Sequence, residues 1–388
     1  MQPPATVVIG DHTQGLGIVR SAAAAGGSVW VVNDKCISLA RFSRHVSGYY
    51  RVPCGTLEAL HDPLRAGQLR DMLLHIPFDG QAALFGVDED VNRFVHQNRA
   101  ALQPRYRIAE AQGEANYDKY AFNELVPEAH RIETHVCSEI DLAGLPRPQH
   151  FLLKGRCGNA FRQMTGYKAV RLSEVGSGQR GRLLARLGPA QVLVQAIIET
   201  QRPVRSVCSF SVDGRIAAWF GYDKLRQHPN RFGTGTYLCS VAVDDLKPVA
   251  EAILRSLAFT GLSEIEFIHD RDTDTYRVVE MNPRAWKSVH FATQCGQNLV
   301  ARYLAYLAGE PFEVGIGYRS GCYWADLATD LPQMLREGKV HGYHKGFFEC
   351  TWDRSDPWPA LALWTLSPLI ALENRIALRA GRLASAGR

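Results

Sequence analysis

The chain has 388 residues, 46% of them hydrophobic and 21% charged, which is enough for two or three packed lobes and unlike a disordered chain. A net charge of +5 without a long Lys/Arg run argues against nucleic acid as a partner and suits an anionic small molecule. The nine cysteines are scattered and form no C-x-x-C pair, which argues against a disulfide framework or a zinc site and points to a reducing cytoplasm.

The first residues, MQPPATVVIGD, lack a charged segment followed by an apolar run, so a secretory leader is not expected. Thr6–Ile9 reads as a buried strand, then a glycine-bearing turn, an Ala-rich helix and a second strand at Val29–Val32 ending in Asn33-Asp34. This is a βαβ unit, but Gly10, Gly15 and Gly17 do not fit G-x-G-x-x-G, so a bound dinucleotide is not expected. Arg41, Arg44 and His45 fall in a loop or short helix. Residues 55–105 read as helix, the short strand AALFGVDED, then helix, and YDKYAFNELV (117–126) is an amphipathic helix with Lys119 near its start. HFLLKGRCG is a strand with Lys154 at its end, and AQVLVQAII (190–198) is a strongly apolar strand.

SVCSFSVDGRIAAWFGYDKLRQ alternates around Asp213-Gly214 and predicts a hairpin with a type I′ turn. HPNRFGTGTYLCSV reads as a loop, and KPVAEAILRSLAFTG as a helix ended by Gly261. LSEIEFIHDRDTDTYRVVEMNPR is a second hairpin with its turn at Asp270–Thr275, and GQNLVARYLAYLAGE is a helix. The apolar run ALALWTLSPLIAL (360–372) is short for a membrane span and contains Pro368. It reads as a docking helix pair, with surface association with a membrane as the lesser alternative.

The second hairpin carries the chemistry. Period-2 facing puts Glu264 and Glu266 on one side of the first strand, and Glu280 and Asn282 on one side of the second. Two carboxylates and a carboxamide on one face repel unless a cation lies among them. Oxygen-only ligation selects Mg²⁺ or Mn²⁺ over zinc. The same acids also suit a solvated hairpin face paired with Arg284 and Lys287.

The stretch GLSEIEFIHDRDTDTYRVVEMNPRAWKS resembles the carboxyl-terminal signature of the ATP-grasp superfamily, in its carboxylate–amine ligase-like members. Asp118-Lys119, FLLKG, VLVQAII and YDKLRQHPNRFGTGT occur in the family's order, and the resemblance covers roughly residues 5–310. It implies an α/β fold with a Rossmann-like pre-ATP-grasp domain (1–105) and a two-lobed ATP-grasp domain (106–310; lobes about 115–198 and 199–310). A C-terminal extension (311–388) lies outside it.

By this resemblance Lys119 and Lys154 reach ATP phosphates, and Gln195, Ala196, Ile197 and Ile198 form the hinge that reads adenine, with Glu199 beside the ribose or the adenine amino group. Glu266, Glu280 and Asn282 are the implied metal ligands. Arg284 is the implied catalytic arginine after Asn-Pro, and Lys224 and Arg226 belong to a loop near the γ-phosphate and acceptor. Lys168 matches a small-lobe lysine without an assigned role. Two stretches depart from the family: GRCGNAFRQMTG has fewer glycines than the usual phosphate-covering loop, and ETQRPVRS is basic where acids are common.

The implied activity is an ATP-dependent ligase that activates a carboxylate as an acyl phosphate and joins it to an amine. ATP and Mg²⁺ or Mn²⁺ are the expected cofactors, and a small-molecule carboxylate and amine the expected partners. A kinase, or a binding module without catalysis, would use the same residues. The Trp-rich extension reads as a packing layer, with a cap over the acceptor pocket or a homodimer surface as alternatives.

Overall fold

The computed structural model describes residues 4–370 and 373, apart from 110–115, 143, 146, 312–313, 316 and 339–341. Its first sheet is parallel and five-stranded, in the order β3-β2-β1-β4-β5. The strands are β1 (Ala5–Ile9), β2 (Val29–Asn33), β3 (Val46–Arg51), β4 (Ala82–Gly86) and β5 (Tyr106–Arg107), with helices α1 (Thr13–Ala24), α2 (Pro63–Leu74), α3 (Glu89–Gln97) and α4 (Arg99–Leu102) between them. The expected βαβ unit is present. β3, which sequence alternation did not reveal, adds a further parallel strand after the turn that carries Arg41 and Arg44. Gly10 has φ +99°, and a Cβ there would lie 2.3 Å from Val87, so glycine is required to bring the first turn against β4's exit.

A four-stranded antiparallel sheet, β6-β9-β7-β8, follows. It comprises α5 (Lys119–Leu125), β6 (Thr134–Val136), β7 (Phe151–Gly155), α6 (Ala160–Thr165), β8 (Ala169–Arg171), α7 (Ser177–Leu187) and β9 (Val192–Ala196). Asp118 caps α5 by accepting from Tyr120 and Ala121.

The third sheet has seven strands in the order β14-β13-β10-β11-β12-β15-β16. These are β10 (Val204–Val212), β11 (Arg215–His228), β12 (Thr234–Ser240), β13 (Gly261–Asp270), β14 (Thr275–Asn282), β15 (Tyr323–Ala325) and β16 (Phe348–Glu349). Helices α8 (Lys247–Ser256), α9 (Val289–Gln294), α10 (Leu299–Ala308) and α11 (Leu327–Arg336) pack around it. Both expected hairpins form. Asp213 (φ 48°) and Gly214 (φ 75°) supply the two positive-φ positions of a type I′ turn.

Three local expectations change. The loop read over HPNRFGTGTYLCSV is mostly strand, because β12 claims Thr234–Ser240. α8 stops before Ala258, which takes φ 46°, while Gly261 opens β13 instead of capping the helix. Residues 358–370 form one helix, α12, not a pair. The last part of the chain also extends the third sheet, through β15 on β12 and β16 on β15.

α1 is buried along most of its length and packs on α9, with Gly17 set against Val289. One apolar cluster therefore runs from Ile18 and Val19 through Trp286 and Phe291 to Phe210 and Phe220, joining the first and third sheets. The buried Arg20–Asp356 pair, at 3.1 Å, ties the C-terminal segment to α1.

Candidate functional site

β13 and β14 pair so that Glu266 faces Glu280 directly and Glu264 faces Asn282. The register then slips, with Phe267 opposite Val278, so Val279 is an extra bulged residue. The bulge lets Val278 and Met281, three apart, both enter the core beneath the sheet. It also turns the Val279 carbonyl toward the small lobe, where the Lys154 ammonium donates to it at 3.5 Å.

The site's acids and cations interlock. Lys224 Nζ donates to both carboxylate oxygens of Glu266 at 2.9 Å. Lys168 lies 3.5 Å from Glu280. Asn282 Nδ2 donates to Glu264 at 2.9 Å, and Asn282 Oδ1 accepts from Arg284 at 3.2 Å. Tyr222, which sequence reading did not single out, donates its hydroxyl to Glu264. Arg284 also reaches Gln14 of α1 at 3.4 Å, and Gln14 donates to the Ala285 carbonyl at 2.7 Å. The N-terminus of α1 is thereby fixed beside the Asn-Pro-Arg turn.

Electrostatics separate the carboxylates. Burial works to raise the pKa of Glu280, but Lys168, Lys154, Lys119 and Lys224 outweigh it and hold it at about 2. Burial and the neighbouring Glu266 push Glu264 up. Burial drives Lys154 down to about 8, and Lys119 and Lys168 add repulsion that Glu280 only partly offsets.

Lys119 does not reach Glu280 in this structure. Its ammonium lies 3.3 Å from Glu89 at the start of α3, and the same carboxylate accepts from the Gly158 amide at 2.6 Å. Asn159 is likewise held by Asp90 at 3.1 Å. Arg156, one of the residues that depart from the family's loop, pairs with Asp118 at 2.8 Å. A strand followed by Asp-Glu-Asp at a helix start was the available signal for Glu89 and Asp90.

Arg226 is set apart from Glu266. It pairs with Asp330 of α11 at 2.6 Å and lies over the rings of Tyr237 and Tyr343. A cavity of about 350 Å³ is lined by Lys224, Arg226, Thr200, Arg202 and Asp330. Gln195 is buried and donates to Thr134 at 2.9 Å. The amides of Ala196 and Ile197 are spent on the Glu133 and His150 carbonyls, and the Glu199 carbonyl accepts from Arg271. Among the described residues, the Ile198 amide has no hydrogen-bond partner. At the other end of the cleft, His12 is solvent-exposed with φ 111°.

The donor chemistry fits a hard divalent cation. Glu266, Glu280 and Asn282 offer oxygen only. Each Glu266 oxygen accepts one bond from Lys224 and keeps a second lone-pair direction.

No family model matches the sequence, and no curated protein matches it. Solved structures do. N5-carboxyaminoimidazole synthetase from Staphylococcus aureus aligns at TM-score 0.61 and 15% identity, over 87% of this chain and 86% of that one. L-amino acid ligase from Bacillus licheniformis aligns at TM-score 0.56 and 14% identity, over 81% and 76%. Biotin carboxylase from Campylobacter jejuni aligns at TM-score 0.61 and 12% identity, over 82% and 74%. The chain has the ATP-grasp fold. In ATP-grasp terms the four-stranded sheet is the small lobe and the seven-stranded sheet the large lobe, and the candidate site lies between them. The final strands β15 and β16 lengthen the large-lobe sheet.

Proposed function

We propose that the protein is an ATP-dependent ligase that activates a carboxylate as an acyl phosphate and joins it to an amine. The observation that carries this reading is the opposed pair Glu266–Glu280 with Asn282 and Arg284, facing Lys154 and Lys168 across the cleft. Two similar structures support the nucleotide: one synthetase is complexed with ADP, and a carboxylase domain with MgADP. In this reading residues 1–105 are the pre-grasp domain, 106–310 the grasp lobes and 311–388 an extension.

Lys154 and Lys119 bind the triphosphate, with Lys119 released from Glu89. The hinge from Gln195 to Glu199 takes the adenine through the free amide of Ile198, between the half-buried Ile197 and Ile198 side chains. Glu266, Glu280 and Asn282 would hold Mg²⁺ or Mn²⁺, which would neutralise phosphate charge when bound. Lys224 fixes the Glu266 carboxylate, and Arg226 lines the same wall. Arg284, fixed by Asn282 and Gln14, faces the charge that develops as a substrate carboxylate oxygen attacks the γ-phosphorus and ADP leaves. The amine then attacks the acyl carbon, loses a proton and expels phosphate. Phosphorylation supplies the leaving group that a carboxylate lacks, and the protein contributes position and charge.

The test is Mg²⁺-dependent ADP release with panels of small carboxylates and amines. We expect turnover to need both. Turnover with a carboxylate alone, yielding a stable phosphorylated product, would establish the kinase in place of the ligase.

A further inference from the structure

We propose that α12 is a docking surface for an anionic lipid bilayer, lying in the plane of the interface without crossing it. The thirteen residues 358–370, WPALALWTLSPLI, contain no Asp, Glu, Lys or Arg. At about 100° per residue the helix divides into two arcs. Ala360, Ala362 and Pro359 are buried on one arc. Trp358, Leu361, Trp364, Thr365, Pro368 and Leu369 form the other, and all are exposed; Ser367, the one exposed residue on the first arc, is polar. Trp358 is 60% and Trp364 57% exposed. The sole polar member of the exposed arc, Thr365, spends its hydroxyl on the Leu361 carbonyl. A helix that is apolar all round is ordinarily buried all round. This one presents half its surface, with Trp352 exposed in the preceding loop.

Charge selects the occupant. Arg354 and Arg44 are exposed beside the start of the helix, and Arg44 donates to the Ser355 carbonyl. The sequence after the helix holds Arg375, Arg379, Arg382 and Arg388 and no acid beyond Glu373. Nearby acids are spent within the protein: Asp356 on Arg20 and Ser43, Asp353 on Ser355, and Glu373 on the amides of Cys36 and Ile37. An uncharged Trp/Leu face flanked by arginines matches an acyl–headgroup boundary bearing anionic phosphates, where Trp anchors and Arg adds Coulomb attraction. No helix among the described residues is long and apolar enough to cross a membrane, and the proposal is for the in-plane mode. The proposal is independent of the ligase reading.

The experiment is co-sedimentation of the full chain with vesicles of phosphatidylcholine alone and of phosphatidylcholine with phosphatidylglycerol, followed also by Trp emission. We expect binding to the anionic vesicles, a blue shift, and weakening by salt. The double variant Trp358→Ser/Trp364→Ser should lose roughly tenfold in affinity, with its melting temperature and ATP binding retained as controls for folding. Absence of binding to anionic vesicles, or equal binding by the double variant, overturns the proposal. So does a wild-type dimer that the double variant turns into monomers without vesicle binding, which assigns the face to a second copy. Emission that is already blue-shifted and moves red when residues 374–388 are removed assigns it to the chain's own tail.

Discussion

The two walls of the cleft hold their cations with different tightness. On the large lobe, Lys224 meets both oxygens of Glu266 at 2.9 Å and Arg226 meets Asp330 at 2.6 Å. On the small lobe, Lys154 has, among the described residues, only a carbonyl at 3.5 Å and no carboxylate, while Lys168 makes a longer pair with Glu280, at 3.5 Å. A cation locked to a carboxylate belongs to the framework, because an incoming anion must first replace that partner. A crowded cation without one gains from any anion that arrives. On the proposed function, the difference favours the small-lobe lysines for phosphate and leaves Lys224 and Arg226 as scaffold.

Glu280 joins the two walls, so its removal should have the largest effect. Glu280→Gln keeps the shape and deletes the charge that faces Lys154 and Lys168. We expect Mg²⁺-dependent turnover to fall by at least ~100-fold, the scale for losing one preorganised electrostatic partner. Near-normal activity in a steady-state ADP-release assay would remove Glu280 from the metal set.

The framework half predicts a stability effect. Asp330 is buried and accepts from Arg226, Thr236 and Tyr343. Asp330→Asn leaves the guanidinium without its counter-charge. Breaking a buried pair costs ~3–5 kcal/mol, and the partial exposure of Arg226 reduces this to about 2 kcal/mol. Urea unfolding should show that loss. An unchanged midpoint would mean that Arg226 is not scaffold.

For Lys154 the expected effect is on binding. Lys154→Ala should weaken ATP by about tenfold or more, the scale of a charge-assisted hydrogen bond. The wild type should also lose affinity as pH rises through about 8, where the lowered pKa lets the ammonium deprotonate. The sign follows from phosphate binding the cationic form, which dominates below that pKa. Lys154→Arg keeps its charge past that range, so its affinity should be flat over the same window. Calorimetric titration at several pH values checks both.

Much of the site was legible because it lies on two adjacent strands. Alternation in SEIEF and VVEMN, with a short polar turn between, brings the two acid-bearing strands together, but a regular ladder from that turn sets Glu266 against Val279, and only the bulge puts Glu280 opposite it. The Asp-Gly turn of the first hairpin was equally local. The bulge at Val279 was not legible, since alternation carries no mark of an extra residue. Nor was Asp330, which arrives from α11, and the Asp-Glu-Asp helix start marked Glu89 without naming Lys119 as its partner. β12 hid in a Pro/Gly/Thr-rich stretch because tertiary pairing with β11 and β15 outweighs weak strand propensity. The apolar run at the C-terminus was visible, but its division into a buried and an exposed arc needed the fold.

The smallest expected effect refines the small-lobe half of the comparison. Lys119 is the small-lobe lysine with a carboxylate nearer than 3.5 Å, and that carboxylate, on Glu89, also holds the Gly158 amide. An ammonium and a loop amide gathered by one anion are the donors a phosphate would use, so on the proposed function Glu89 would compete with nucleotide for both. Glu89→Gln preserves the size and some hydrogen bonding but removes the charge. ATP should then bind about threefold tighter, in keeping with the modest worth of a solvent-reached ion pair. Lys154→Ala should still weaken ATP in that background. If ATP instead binds more weakly to Glu89→Gln, Glu89 belongs to the nucleotide-bound site, and Lys119 must be counted with the framework cations of the opposite wall.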